Sequence, residues 1–325
     1  MPASPSLPRS LSTMLETGGA EQAGAAVHLD LDGAWDAALL EEAAPGLPTW
    51  NGRAWGPRLR FIAPRREMEL FYEEVRPSLA PFLLYGSGDF HHLAALWLRR
   101  WEEPFTLISF DNHPDWDIRP PHWCCGSWVS RALTLPLLEE ASVWGCGNFE
   151  LEWPGRLFAN HRGLRSGRLK VRPWGERLTA PERWPSLRRE SWREAFLEYA
   201  QQLSGRRVYM TVDLDCLRAE EAATNWENGL FEASEVAWAL ETVHRHAGKV
   251  IGGDLCGAFS PPSYARLPQR VAAKWDHPKI APLPRGDNRN RETLRTIWPA
   301  LTGRNAALAT VSSWPVDIGA ASGFQ

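Results

Sequence analysis

The chain has 325 residues, 44% hydrophobic and 23% charged, enough for one large α/β domain or two smaller ones with a sizeable core. A net charge of -3 gives no electrostatic case for a nucleic-acid or anionic-membrane partner, and no apolar run approaches a membrane span. The 5 cysteines are odd in number and lack zinc-type spacing, which argues against a disulfide framework and fits a reducing cytoplasm; the first residues form no apolar h-region, so a soluble, unexported protein is expected.

Residues 1–24 are rich in Pro, Ser, Gly and Ala and read as a mobile tail, leaving 25–325 as a single domain. Ala26 to Asp32 alternates apolar and polar residues and reads as a strand running into a turn at Gly33. The Pro- and Gly-rich stretch to Pro64 reads as loop, and Glu67–Val75 as a short helix. Pro81–Tyr85 is a strand broken by Gly86-Ser-Gly88, and His91–Trp101 carries apolar residues at helical spacing. Phe105–Phe110 is the next strand. Trp128–Glu139 suggests a helix interrupted at Pro136, followed by strands at Ser142–Gly145 and Arg168–Val171. Ser191–Leu203 reads as a helix ending near Gly205, and Arg207–Val212 as a strong strand. Ala233–His246 is a helix stopped by Gly248, and Lys249–Ile251 is a strand ending at Gly252-Gly253-Asp254. Pro261 to about Asn290 looks irregular, and Ala306–Ser312 forms a last strand. Strands alternating with helices predict an α/β fold, with a mostly parallel sheet covered on both faces.

In such sheets ligands sit beyond the carboxyl ends of the strands. The polar motifs lie there: His91 and His92 after one strand, Asp111 after another, Asp213 after a third and Asp254 after a fourth. Asp111, His113 and Asp115 occupy every second position beyond Phe110, so they share one side if the extended backbone persists that far. Asp213 and Asp215 repeat the pattern. The set offers two imidazoles at most, from His91 or His92 and from His113, with four carboxylates. Oxygen-rich ligands with some nitrogen suit Mn²⁺ better than a thiolate-seeking metal, with Zn, Fe, Co and Ni left open. Two divalent ions neutralise four carboxylates more readily than one, and a pair about 3.5–4 Å apart activates a water. The plainer alternative is a set of polar turns after strands. Asp30-Leu-Asp32 is a rival pair read as structural.

At these residues the sequence resembles the arginase-type ureohydrolase superfamily. Gly88-Asp-Phe-His91, Asp111-Asn-His113-Pro-Asp115 and Asp213-Leu-Asp215 follow the order of that family's Gly-Asp-His, Asp-x-His-x-Asp and Asp-x-Asp elements. Thr224-Asn-Trp-Glu227-Asn-Gly-Leu230 and Val250–Asp254 are weaker matches, and the wording looks most like a divergent branch that includes peptide arginases. The resemblance implies a three-layer α/β/α fold with a sheet of about eight strands. It also implies two Mn²⁺ held by His91, Asp111, His113, Asp115, Asp213 and Asp215, with Asp115 assisting the proton transfer. The implied reaction cleaves a C–N bond of a guanidino or amidino group. Arginine, free or in a peptide, is the favoured substrate, and a homo-oligomer is compatible with the family.

Three departures qualify this. Phe90 separates Gly-Asp from His91, so either His91 or His92 takes the ligand position. The family's proton-shuttle His aligns with Cys125, which leaves His122 or Cys125 for that role. The family's guanidinium-clamping Glu falls at Gly257, so Glu227 and Asp117 become the candidate acids for a cationic substrate, with Thr224 as a hydrogen-bonding partner. Asp254 reads as an orienting group. The competing readings are a deacetylase-like amide hydrolase on the same fold and a non-catalytic, metal-stabilised binding module.

Overall fold

The computed structural model describes residues 25–120, 123–278 and 287–304. The proposed tail 1–24, His122 and the expected strand Ala306–Ser312 lie outside them. Eight strands form one sheet: β1 (Ala26–Asp30), β2 (Thr49–Asn51), β3 (Phe82–Tyr85), β4 (Phe105–Phe110), β5 (Leu138–Trp144), β6 (Leu169–Arg172), β7 (Arg207–Asp213) and β8 (Lys249–Cys256). Their order is β2-β1-β3-β8-β7-β4-β5-β6, and every pairing is parallel.

All six residues of β4 are buried, as expected of a strand covered on both faces. Alternation then sorts its side chains. Phe105 and Leu107 join one core with the helix Arg65–Val75 and the turns around Leu93–Leu98. Ile108 and Phe110 join the other with the helices Trp192–Gln201, Ala233–His246 and Arg289–Thr302. The result is the predicted three-layer α/β/α arrangement. Helix Ala233–His246 shows how locally such an element is specified. Glu232 and Glu235 form a reciprocal capping box, Val236, Ala239, Leu240 and Val243 make the buried stripe, and His244, Arg245 and His246 stand at the negative end of the dipole.

Several expectations need correcting. The stretch 33–64 is not all loop: Asp36 caps a helix at Ala37–Ala43, and β2 lies beyond it. His91–Trp101 is a chain of short 3₁₀ and α turns rather than one helix. The helix at Trp128 stops at Ala132, and Leu138 already belongs to β5. The apolar side chains of Leu138, Ala141 and Val143 are spent on the sheet core instead. The region after Pro261 contains the helix Leu267–Asp276, with Pro268 in the first turn where a missing N–H costs nothing. β8 runs through Gly252 and Gly253, so Asp254 is inside the strand rather than beyond it. A Cβ on Gly253 would stand 2.6 Å from the Met210 carbonyl oxygen, so the close approach of β7 demands glycine there.

Candidate metal centre

The site is built at the carboxyl ends of β3, β4, β7 and β8. After β3, Ser87 caps the turn Gly88–Leu93, its hydroxyl accepting from Asp89 N at 3.2 Å, and this turn delivers His91. His91 Nδ1 lies 3.0 Å from Asp111 Oδ2, 3.4 Å from Asp213 Oδ2 and 3.6 Å from Asp115 Oδ2. His113 Nδ1 lies 2.8 Å from Asp215 Oδ2 and 3.6 Å from Asp111 Oδ1. Among the described residues three groups could hold a metal: His91 with Asp111 and Asp115, Asp111 with His113 and Asp215, and His91 with Asp213 and Cys256. Within each, the candidate ligand atoms lie within 4.8 Å of one another.

The convergence is not made by pleating, as the alternation suggested. β4 ends at Phe110, and Asp115 has φ 47°, a left-handed backbone uncommon for a residue with a side chain. Backbone amides aim the carboxylates instead. His113 N donates to Asp111 Oδ1 at 2.7 Å, Asn112 N to Asp215 Oδ1 at 3.0 Å, and Asp215 N to Asp213 Oδ1 at 3.1 Å. The Trp128 indole donates to Asp115 Oδ2 at 2.5 Å.

A second layer fixes His91. Asp254 is fully buried and accepts from the hydroxyls of Tyr85 (2.9 Å), Thr211 (2.7 Å) and Tyr209 (2.8 Å). Because the Thr211 proton goes to Asp254, the Thr211 oxygen is free to accept from His91 Nε2 at 2.9 Å. That assignment leaves Nδ1, facing the carboxylates, as the nitrogen available to a metal.

Taken as side chains alone, the cluster retains protons. Burial pushes the carboxyls of Asp115 and Asp213 well above the usual range, reinforced by Asp111 and Asp215 respectively. Burial disfavours a charged His91, yet the close approach and charge of Asp111, at 3.0 Å, hold its pKa up at about 9. His113 is likewise raised, by Asp215 against its burial. These are the protons a divalent ion displaces. The residues fit such an ion: His91 Nδ1 and Asp111 Oδ2 are buried with no hydrogen-bond partner, and the donors are nitrogen and carboxylate oxygen.

A cleft of about 290 Å³ opens onto Asp111, His113, Asp115, Asp213 and Asp215. Its walls include Cys124 to Ser127, Asp117, Glu150, Trp226, Glu227 and Asp276.

The comparisons with solved structures match this architecture. The arginase from Bacillus subtilis aligns over 86% of this chain and 98% of its own, with a TM-score of 0.51 at 14% identity. The arginase from Bacillus cereus aligns over the same shares with a TM-score of 0.50 at 14% identity. The chain has the arginase fold. That is the fold the resemblance of the motifs implied. An uncharacterized protein of Thermotoga maritima is 27% identical over 208 residues, covering 64% of this chain and 69% of that protein. No protein-family model matches. No helix among the described residues is long and apolar enough to cross a membrane.

On this arginase fold, His91, Asp111, His113, Asp115, Asp213 and Asp215 come together. His92 points into the core, where burial lowers its pKa to about 3, so His91 is the imidazole at the cluster. Cys125 lines the cleft, and its thiol is pushed well up by its hydrogen bond with Cys124 and by burial. Thr224 is turned into its own loop: its hydroxyl donates to the Trp226 carbonyl at 2.7 Å and accepts from Trp226 N at 3.3 Å. Asp117 is already engaged by Arg119, with Nε–Oδ2 at 2.9 Å and Nη2–Oδ2 at 2.5 Å. Glu227 lies in the cleft wall with its side chain 56% exposed and Oε2 3.6 Å from His113 Nε2. The rival Asp30-Leu-Asp32 is structural: Asp32 accepts from the Ser87 and Ala34 amides and sits 3.6 Å from the buried Arg60. Sequence reasoning missed Trp128, Thr211 and Glu150. Thr211 was findable, since it precedes Asp213 by two on the same strand.

Proposed function

We propose that this chain is a divalent-metal hydrolase that cleaves a C–N bond of a guanidino or amidino group. Arginine, free or within a peptide, is the favoured substrate, giving ornithine and urea. The observation that carries the reading is the meeting of two imidazoles and four carboxylates at the base of an acidic cleft. His91, Asp111, Asp115 and Asp213 would hold one ion, and Asp111, His113, Asp213 and Asp215 a second, Mn²⁺ being the best match to this donor set. When bound, such a pair lowers the pKa of a water toward neutrality and offsets charge developing on the substrate.

The side chains supply the rest. Asp254, through Thr211, holds the orientation of His91. The amides of Asn112, His113 and Asp215 hold the carboxylates so that little reorganisation is needed during reaction. Asp115, clamped by Trp128, faces the cleft and is the carboxyl placed to receive a proton and pass it to the departing nitrogen. Cys125 and His122 remain the candidates for exchanging that proton with solvent.

The test is urea release by Mn²⁺-reconstituted protein from arginine, arginyl peptides, agmatine and guanidinobutyrate. Turnover of at least one, abolished by Asp213→Asn, is the expected result. Metal-replete protein inert to all four overturns the proposal.

A further inference from the structure

One acid of the cleft has a buried carboxylate oxygen with neither a hydrogen-bond partner nor a salt bridge among the described residues. Asp117 is paired with Arg119, Glu227 is largely exposed beside His113, and Asp276 is exposed. Glu150 is different. It sits in the short turn Phe149–Leu151 beyond β5, where Asn148 Oδ1 accepts its backbone N–H at 3.3 Å. Its carboxylate faces the opposite wall, with Oε1 3.6 Å from where a Cβ on Gly126 would stand, beside Cys125. Oε2 is buried without a hydrogen-bond partner, and among the described residues no salt bridge reaches Glu150, His113 and Arg119 acting on it only at longer range. A half-buried carboxylate with one oxygen out of water and unpartnered is stabilised when something cationic arrives to meet it.

The position after β8 cannot supply that acid. Gly257 has φ 101°, and a Cβ there would lie 2.2 Å from Asp213 Oδ1 and 2.4 Å from Leu214 N. A glutamate at Gly257 would collide with the metal cluster itself.

We infer that Glu150 is the residue that binds the cationic guanidinium or amidinium group of the substrate, taking from the β5 side the role that Gly257 has no room to fill. The inference rests on the hydrolase reading above and names its specificity determinant. A guanidinium offers parallel pairs of N–H donors that a carboxylate accepts in bidentate fashion, whereas a urea of the same shape brings no charge. Burial raises the pKa of Glu150 to about 7, and a bound cation would bring it back down by favouring the ionised form.

The experiment is calorimetric titration of Mn²⁺-loaded protein with n-butylguanidinium and with its neutral isostere n-butylurea. Wild type should prefer the cation, Glu150→Gln should lose about tenfold or more of that affinity while binding the urea unchanged, and Glu150→Asp should recover part of it. Metal content and melting temperature of both variants serve as folding controls. Equal binding of the cation by Glu150→Gln and wild type overturns the inference, as does a wild type that does not distinguish the two probes. The hydrolase reading fails separately. Glu150-dependent cation binding without urea release from any guanidine would remove the reaction and keep the site. Urea release by Glu150→Gln at wild-type KM would do the reverse.

Discussion

Arg60→Met should be the most damaging single change outside the metal cluster. Arg60 is 1% exposed, and its Nε donates to Asp89 Oδ2 at 2.6 Å, a carboxylate that is itself 0% exposed. The rest of the guanidinium donates to Ser260 Oγ (2.9 Å), Ser260 O (3.1 Å), Pro261 O (3.3 Å) and Ser87 Oγ (3.3 Å). Methionine fills the volume but leaves Asp89 with only His277 (2.8 Å) and the Trp226 indole (3.1 Å), and leaves Asp32 without its counter-charge. Removing one partner of a buried pair costs about 3–5 kcal/mol, or about 6–20 °C in melting temperature for a chain of this size. The effect has a defined pH dependence. Burial opposes ionisation of Asp89, but Arg60 and His277 hold its pKa at about 2. In wild type that stabilisation is therefore present above the unfolded value and lost only as pH falls through about 2. Without Arg60 the carboxyl pKa rises, so the deficit of the variant should shrink between pH 8 and pH 5. Urea denaturation across that range measures it, and adding Asp89→Asn should restore roughly half of the loss by removing the stranded charge. A loss below about 1 kcal/mol, or a double variant no more stable than Arg60→Met, would refute the reasoning. Because Asp89 lies in the turn that delivers His91, metal affinity should fall along with stability.

Other outcomes follow from the same structure. Chelation should lower the melting temperature and Mn²⁺ should restore it, by about 2.7 kcal/mol at one hundred times Kd, with metal analysis returning two ions per chain. One ion would favour amide hydrolysis on this fold. Gly257→Ala should lose metal as judged by elemental analysis, since the added Cβ meets Asp213 at 2.2 Å; full occupancy would show that the loop yields. In chelator-treated protein, the elevated Glu150 stabilises the fold below its unfolded pKa, an advantage lost as pH rises through about 7. Glu150→Gln should therefore gain on wild type between pH 5 and pH 8 by about 2–3 kcal/mol, read by urea denaturation. Cys125, its thiol raised by Cys124 and by burial, should resist iodoacetamide at neutral pH while glutathione is consumed; rapid alkylation detected by mass spectrometry would contradict that.

The sheet and the meeting of the six candidate side chains were legible because each rests on a short local pattern. Phe105–Phe110 and Arg207–Asp213 are apolar runs closed by carboxylates, and such runs fold as buried parallel strands wherever helices cover both faces. The cleft walls were not legible, for a physical reason. Glu150 lies in a short turn beyond β5, and no motif or spacing around Phe149-Glu150-Leu151 marks it as a cleft residue. The left-handed Asp115 is imposed by its surroundings, and nothing in Pro114-Asp115-Trp116 announces it. Thr224 was carried over by motif, yet its hydroxyl is taken up by Trp226 two residues away, a local bond that composition does not reveal.

The three hydroxyls gathered on Asp254 bear on how quickly this centre could exchange its metal. Tyr85 comes from β3, Thr211 and Tyr209 from β7, and Asp254 from β8, so the brace behind His91 is stitched across three adjacent strands. Rotating His91 away from an ion would require breaking that brace inside the sheet, where Tyr85, Tyr209, Thr211 and Asp254 are all fully buried. His113 has no such backing: its ring stands against Trp226 at 5.3 Å, on the cleft wall, with Glu227 at its outer nitrogen. The ion beside His113 should therefore leave first and return first, giving two kinetic classes of metal release from one cluster.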